Sequence, residues 1–336
     1  MTEPSRGVPV VERTATRLLE LRHVTTSFRF FDRRLVAVND VSLEIDQGEI
    51  VGIVGESGCG KSMTAFSILG IVPHPGRVEA GSIRFKGHDL LAMTETEIRR
   101  VRGRQISLVY QDPLSSLNPS FSILWHFEEL FAAHGVRQSS RNRLRVVIEA
   151  LKRVRIPDPE QKIHQYPHQL SGGMRQRVVI AMALALQPAI IIADEPTTAL
   201  DVTTQKEIFN LIERLRQELS ISYIVISHDL FLLGERCDRI YVMYAGQIVE
   251  AGPSTSVFRE PLHPYSSGLV RSIPRLDTNA PELHTIRGEV QNLMDLPSGC
   301  FFSNRCPMAE DRCGGPQELR EVRPGRSVRC WKVAAA

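Results

Sequence analysis

The sequence predicts an α/β protein built around a buried parallel sheet, and three stretches predict it. Ile50 to Val54 is an unbroken apolar run, followed directly by Gly55-Glu56-Ser57-Gly58-Cys59-Gly60-Lys61-Ser62 and then by a helical pattern from Met63 to Leu69. Residues 189–195 read Ala-Ile-Ile-Ile-Ala-Asp-Glu, a second apolar run ending on two acids. Tyr223 to Ser227 is a third, ending at His228. A continuous branched run suits a central parallel strand covered on both faces.

The glycine-rich stretch matches G-x-x-x-x-G-K-[ST] at every fixed position. A chance glycine-rich turn is the competing reading, and the strand ahead and helix behind answer it. Glycines let successive backbone N–H groups point into one concavity. The helix N-terminus adds unpaired donors and the positive end of its dipole. Lys61 is expected to reach the β- and γ-phosphates, and Ser62 to offer its hydroxyl to Mg²⁺. The candidate nucleotide-contacting stretch runs from Gly55 through Met63. Asp194 can hold Mg²⁺ through its water shell, and Glu195 is placed to face an attacking water. Without the phosphate loop, the two acids would read as a solvated pair at a strand end.

Residues 170–177 read Leu-Ser-Gly-Gly-Met-Arg-Gln-Arg, followed by a helical run from Val178 to Leu186. This resembles the signature motif of ABC-type ATPases, the cassettes that power membrane transporters. The order of elements also resembles that family: phosphate loop, Gln111, signature, Asp194-Glu195, Ala199-Leu200-Asp201, His228. Met174 stands where glutamine is usual, and the peptide-transporter branch tends to carry methionine there. The resemblance covers residues 18 to about 250. It implies a P-loop NTPase with a RecA-like core, an antiparallel β subdomain, a helical subdomain at about 91–185 and a Cys-rich C-terminal extension at 251–336.

The resemblance also assigns roles. Glu195 would be the catalytic base and His228 the switch histidine that contacts the γ-phosphate and holds Glu195. Gln111 would contact Mg²⁺ and the attacking water. Phe28 would stack on adenine, with Phe30 and Phe31 as competitors and core packing an equal alternative. Ser171, Gly172 and Gly173 would cap the nucleotide of a partner cassette in a head-to-tail dimer, and Asp201 would be a further nucleotide-binding residue. Two transmembrane permeases and an extracytoplasmic binding protein would complete an importer.

Composition agrees. The chain has 336 residues, 42% hydrophobic and 24% charged, with a net charge of +3. The charge is too slight to imply nucleic acid binding. No apolar run reaches spanning length, because the candidate at 178–193 is broken by Gln187-Pro188. The polar stretch Met1 to Arg17 has no apolar signal core and is expected to fray. If the protein works at a membrane, as the resemblance implies, these features put it at the cytoplasmic face as a peripheral subunit docked onto another chain.

Three regions follow along the chain. Residues 18–90 look β-rich, 91–185 mostly helical with a strand at Ile106 to Tyr110, and 186–250 α/β. Glu128 to His134 and Arg143 to Val154 carry helical spacing, and Tyr241 to Val249 reads as a hairpin around Ala245-Gly246. Beyond 251, prolines recur, helical pattern is weak, and four of the six cysteines appear. Pro261-Leu262-His263-Pro264-Tyr265 and the cysteines that follow resemble the tail of dipeptide/oligopeptide (and nickel) importer ATPases. So does Tyr110-Gln111-Asp112-Pro113 with its continuation to Pro119. Cys300, Cys306, Cys313 and Cys330 lack a C-x-x-C pair, which weakens a zinc reading. The resemblance favours a [4Fe–4S] cluster, with zinc and free thiols as alternatives. Cys237 reads as a buried small hydrophobe.

The expected function is therefore ATP hydrolysis powering peptide uptake. Nickel and glutathione-like cargo remain open. A soluble ABC ATPase acting on nucleic acid or in cluster assembly is the reading from another class. Against it, the interval from loop to signature is about 110 residues with no heptad run, and there is one cassette.

Overall fold

The computed structural model describes residues 17–31, 33–198, 200–273, 285–289 and 292–334. The expected fraying at residues 1–16, together with Ala199, Pro274 and Pro281, lies outside the described residues. The chain opens with two long antiparallel strands, β1 (Arg17–Phe30) and β2 (Arg33–Asp46). It then enters β3 (Ile50–Val54), the glycine loop and α1 (Lys61–Leu69). Strands β4 (Gly76–Phe85) and β5 (His88–Asp89) return to the antiparallel layer, which has the order β2-β1-β4-β5. Helix α2 (Glu95–Val101) and strand β6 (Ile106–Val109) follow.

A helical block comes next: α3 (Pro113–Ser116), α4 (Ile123–Ala133), α5 (Ser140–Arg153), α6 (Pro159–Lys162) and α7 (Gly172–Leu184). Then β7 (Ile190–Asp194), α8 (Val202–Leu219), β8 (Ser222–Ser227), α9 (Leu230–Arg236), β9 (Arg239–Tyr244) and β10 (Gln247–Pro253) complete the core. Helices α4, α5, α7, α8 and α9 each begin on a Ser or Asp whose side chain accepts a first-turn N–H. Each such cap is worth about 1 kcal/mol. No helix among the described residues is long and apolar enough to cross a membrane.

Among the described residues the main sheet has eight strands, in the order β11-β12-β10-β9-β3-β8-β7-β6. Pairing is parallel from β9 through β6. Both faces are covered, and alternate residues serve opposite cores. Val51, Ile53, Ile190, Ile192, Ile224 and Ile226 pack with α1 and the antiparallel layer. Ile50, Val54, Ile191, Tyr223 and Val225 pack with the helical block. This explains the unbroken apolar runs: a strand with two dry faces has no polar position to alternate with. Burying each such side chain stabilises the fold by roughly 1.5–3 kcal/mol.

The tail is more ordered than its weak helical pattern suggests. It forms α10 (Ser254–Arg259) and α11 (Pro264–Arg271), then the hairpin β11 (Arg320–Arg323) and β12 (Arg326–Val328). Both helices are short, and α11 starts on Pro264, whose fixed φ suits a first helical position. Strand β12 pairs with β10 through Glu250–Val328 and Ala251–Ser327, so the tail extends the core sheet. Glu250 is fully buried and accepts the N–H groups of Leu262 and His263 as well as Arg326 Nη2.

His263 caps α11 by accepting the Tyr265 N–H at Nδ1, 3.1 Å away. Burial, with the nearby Arg329 charge, holds its pKa down at about 3. An unfolded histidine titrates near 6.5. The unfolded chain therefore binds a proton first as pH falls, and this contribution to stability is lost below pH 6.5. We expect the unfolding free energy from urea melts to drop between pH 6.5 and 5, by at most about 1.4 kcal/mol per pH unit from this group. His263→Asn should flatten that slope, and an unchanged slope would remove His263 as its source.

Candidate functional site

Strand register builds the site. Val54 pairs with Ser227, Asp194 with Ile226, and Val109 with Ala193. The next residues out of β3, β8, β7 and β6 are Gly55, His228, Glu195 and the Tyr110-Gln111 pair. Four adjacent parallel strands thus deliver them to one carboxyl edge, where ligands bind in open α/β sheets.

The loop at the end of β3 is wedged against its neighbours. A Cβ on Gly55 would lie 2.1 Å from the Met243 carbonyl oxygen. At Gly60 (φ 103°) a Cβ would lie 2.2 Å from the Ala37 carbonyl oxygen and 2.8 Å from Met243 Cε. Gly58 (φ 78°) faces open space. The β9–β10 turn braces the loop: Gly246 N–H donates to the Cys59 carbonyl at 2.9 Å, and Asn39 N–H to the Gly246 carbonyl at 2.8 Å. Ala245 and Gly246 both have positive φ, as a two-residue hairpin turn requires. Cys59 is buried beneath the loop, and burial pushes its thiol up to about 11. Lys61 is buried, and its Nζ donates to the carbonyls of Gly55 (2.8 Å) and Glu56 (3.0 Å). Ser57 is exposed, and Ser62 and Met63 enter α1.

The two acids at the end of β7 have different surroundings. Asp194 is buried, and burial pushes its carboxyl up. The Ser62 hydroxyl, hydrogen-bonded to it, pulls the other way, Glu195 adds to the rise and Lys61 opposes it. Its Oδ1 has no hydrogen-bond partner. Glu195 sits at φ 46°, and its N–H donates to the Ile226 carbonyl. Its Oε2 receives Thr198 Oγ1 at 2.8 Å and Gln111 Nε2 at 3.1 Å. His228 Nδ1 lies 3.5 Å from the same oxygen.

The signature lies elsewhere on the surface of the fold. Ser171 caps α7 by accepting the Met174 N–H. What faces Gly173 is Thr204 Cγ2, and what faces Gly172 is Leu200, not the loop at 55–62. Asp201 caps α8 and accepts both the N–H and the hydroxyl of Thr204, whose backbone bond leads in holding its pKa low. Phe28 is half-buried on β1, stacked on Phe30 at 6.2 Å and set against Gly76. Phe31 is fully exposed.

Comparison with known proteins agrees with this geometry. The family model described as "ABC transporter" matches residues 38–198, and that for the C-terminal region of oligopeptide/dipeptide transporters matches 249–313. The oligopeptide transport ATP-binding protein OppD of Escherichia coli is 42% identical over 97% of this chain and 96% of its own length. The chain belongs to the ABC transporter ATPases, in their oligopeptide/dipeptide branch. The dipeptide transport ATP-binding protein DppD of Haemophilus influenzae is 43% identical over 93% of this chain and 94% of its own. A dimeric ATP-binding cassette solved with ADP and phosphate is 29% identical, with a TM-score of 0.63 over 70% of this chain and 99% of its own. The cassette is an ATPase, and ATPases of this family bind ATP with Mg²⁺. The chain's residues fit the ion: the orphaned, buried Asp194 Oδ1 and the Ser62 hydroxyl beside it are hard oxygen ligands.

The expectation of an iron–sulfur cluster or zinc at the cysteines is corrected. Among the described residues, no group of three or more His, Cys, Asp or Glu is arranged to hold a metal. The four thiols share one region of the tail, close enough for Cys300 to feel the other three. Burial pushes the Cys300 thiol up to about 11 and raises that of Cys306. Cys313 Sγ is instead approached by the Trp331 indole N–H at 3.3 Å and the Glu310 N–H at 3.5 Å. Cys237 is buried, as expected for a small apolar side chain.

Thr198, Tyr265 and Arg305 escaped sequence reasoning. Thr198 stands three residues after Glu195, a spacing at which a hydroxyl can reach back. Tyr265 and Arg305 touch the loop from far along the chain, with no local signal. The glycine geometry makes a contrast. We expect Gly60→Ala to destabilise the protein by about 2–5 kcal/mol and to abolish ATP binding, because it adds both strain and overlap. Gly58→Ala should cost only about 1–2 kcal/mol, from φ alone. Thermal melts and ATP titrations of the two variants check this, and equal losses would refute it.

Proposed function

We infer that this cassette is the ATP-hydrolysing subunit of a peptide importer. The observation that carries the reading is the convergence of Gln111, Thr198 and His228 on a single Glu195 oxygen, at the sheet edge that also bears the phosphate loop. A carboxylate held from several sides is oriented to receive a proton, which is what a general base requires. In the proposed step, a water oxygen bonds to the γ-phosphorus as the bond to the ADP oxygen breaks. Glu195 takes the water proton. Lys61 and the loop N–H groups bind the phosphates, and His228 and Gln111 hold Glu195 and the water in line. Mg²⁺, when bound at Asp194 and Ser62, supplies charge neutralisation on the phosphate oxygens. Phe28 is the proposed adenine platform.

The signature completes a site on another chain in this reading. Ser171, Gly172 and Gly173, at the start of α7, would cap the nucleotide of a partner cassette, and Asp201 is proposed as a further nucleotide-binding residue. Their separation from this chain's own loop supports that arrangement. The relatives' names support peptides as cargo. Two permeases and an extracytoplasmic binding protein are the proposed partners, with the cassette docked peripherally on the cytoplasmic face. We take 18–250 as the nucleotide-binding domain and 251–336 as its extension.

Lys61→Ala should weaken ATP binding, whereas Glu195→Gln should keep ATP bound and cut turnover by about 10²-fold or more. ATP titration and single-turnover hydrolysis measure both. Hydrolysis at the parental rate by Glu195→Gln would remove it as the base. Ser171→Arg should block hydrolysis while leaving this chain's own ATP affinity within about twofold. Full activity in a strictly monomeric preparation would overturn the composite site.

A further inference from the structure

Glu56, the first variable residue of the phosphate loop, is held by residues from the far end of the chain. Arg305 donates to it with both arms: Nη1 to Oε2 at 2.6 Å and Nη2 to Oε1 at 3.0 Å. The Arg305 side chain is 4% exposed. Its Nε donates to the Arg287 carbonyl at 3.0 Å, and its guanidinium lies over the rings of Tyr244 (5.7 Å) and Phe302 (5.9 Å). Tyr244, Tyr265 and Phe302 are buried and pack on one another at 4.8–5.4 Å between centroids. From that cluster the Tyr265 hydroxyl accepts the Glu56 backbone N–H at 2.9 Å.

Two independent groups of the tail thus grip one loop residue, one by its carboxylate and one by its backbone. The grip has consequences at the phosphate site. The Glu56 carbonyl is one of the two that receive Lys61 Nζ. With its side chain and its N–H both fixed, the Glu56 peptide has little freedom to turn. A planar, bidentate guanidinium–carboxylate pair fixes direction as well as distance, which a lysine in its place would not.

We propose that Arg305 is a positioning residue for nucleotide binding: its pair with Glu56, aided by Tyr265, holds the phosphate loop in its accepting shape, so that ATP affinity depends on the packing of the C-terminal tail. The proposal rests on the loop being the ATP site. It gives the tail a part in nucleotide binding.

The test is ATP affinity by calorimetry on full-length protein, alongside steady-state hydrolysis. Wild type, Arg305→Met, Glu56→Gln, the double variant and Arg305→Lys are compared. Arg323→Met is the control, because its partner Glu260 is an exposed carboxylate of the same tail. Each single change should weaken ATP binding by roughly 5- to 50-fold and raise KM while leaving kcat within about twofold. The double variant should bind about as well as the weaker single, Arg305→Lys should recover part of the loss, and the control should match wild type. Should Arg305→Met fail to fold, Glu56→Gln and Arg305→Lys still read the pair. ATP binding at wild-type strength in either single variant would overturn the proposal, as would losses that multiply in the double variant. Wild-type protein that binds no ATP would overturn the assignment of the loop as well.

Discussion

Two carbonyl oxygens set the shape of the phosphate loop. Met243 on β9 and Ala37 on β2 approach Gly55 and Gly60 so closely that neither position has room for a Cβ. The loop is therefore a piece of backbone pressed between two sheets. These contacts tie the antiparallel layer and the β9–β10 hairpin to the loop. The hairpin's positive-φ turn at Ala245-Gly246 closes the arrangement by reaching both Cys59 and Asn39.

The acids at the end of β7 differ in environment. Asp194 is buried, has an unpaired oxygen and sits against Ser62, so it suits a cation. Glu195, one residue on, has turned out of the strand at positive φ and gathers three polar side chains. Neighbouring carboxylates that differ this much in solvation can hold separate roles in one reaction.

The tail joins the core at two places. Strand β12 lengthens the main sheet beside β10, and the buried Glu250 ties the two together through Arg326. Arg305 and Tyr265 then reach the phosphate loop itself. A segment with few apolar residues of its own is thus tied to the large sheet and to the loop.

The sequence by itself determined the local chemistry. Gly55 to Ser62, the Asp194-Glu195 pair and the signature at 170–177 are short, contiguous patterns whose residue types carry their meaning. The parallel sheet was legible in the unbroken apolar runs, because burial on both faces leaves its mark along a single strand. Only the tertiary structure decided what touches what. The pairing β3-β8-β7-β6 set Gln111 and His228 on one oxygen of Glu195, and no spacing between residues 111, 195 and 228 encodes that register. The same holds for Glu56 and Arg305, which are 249 positions apart. Contacts between distant segments arise from the summed packing of the elements that carry them, and such sums leave no local pattern to read.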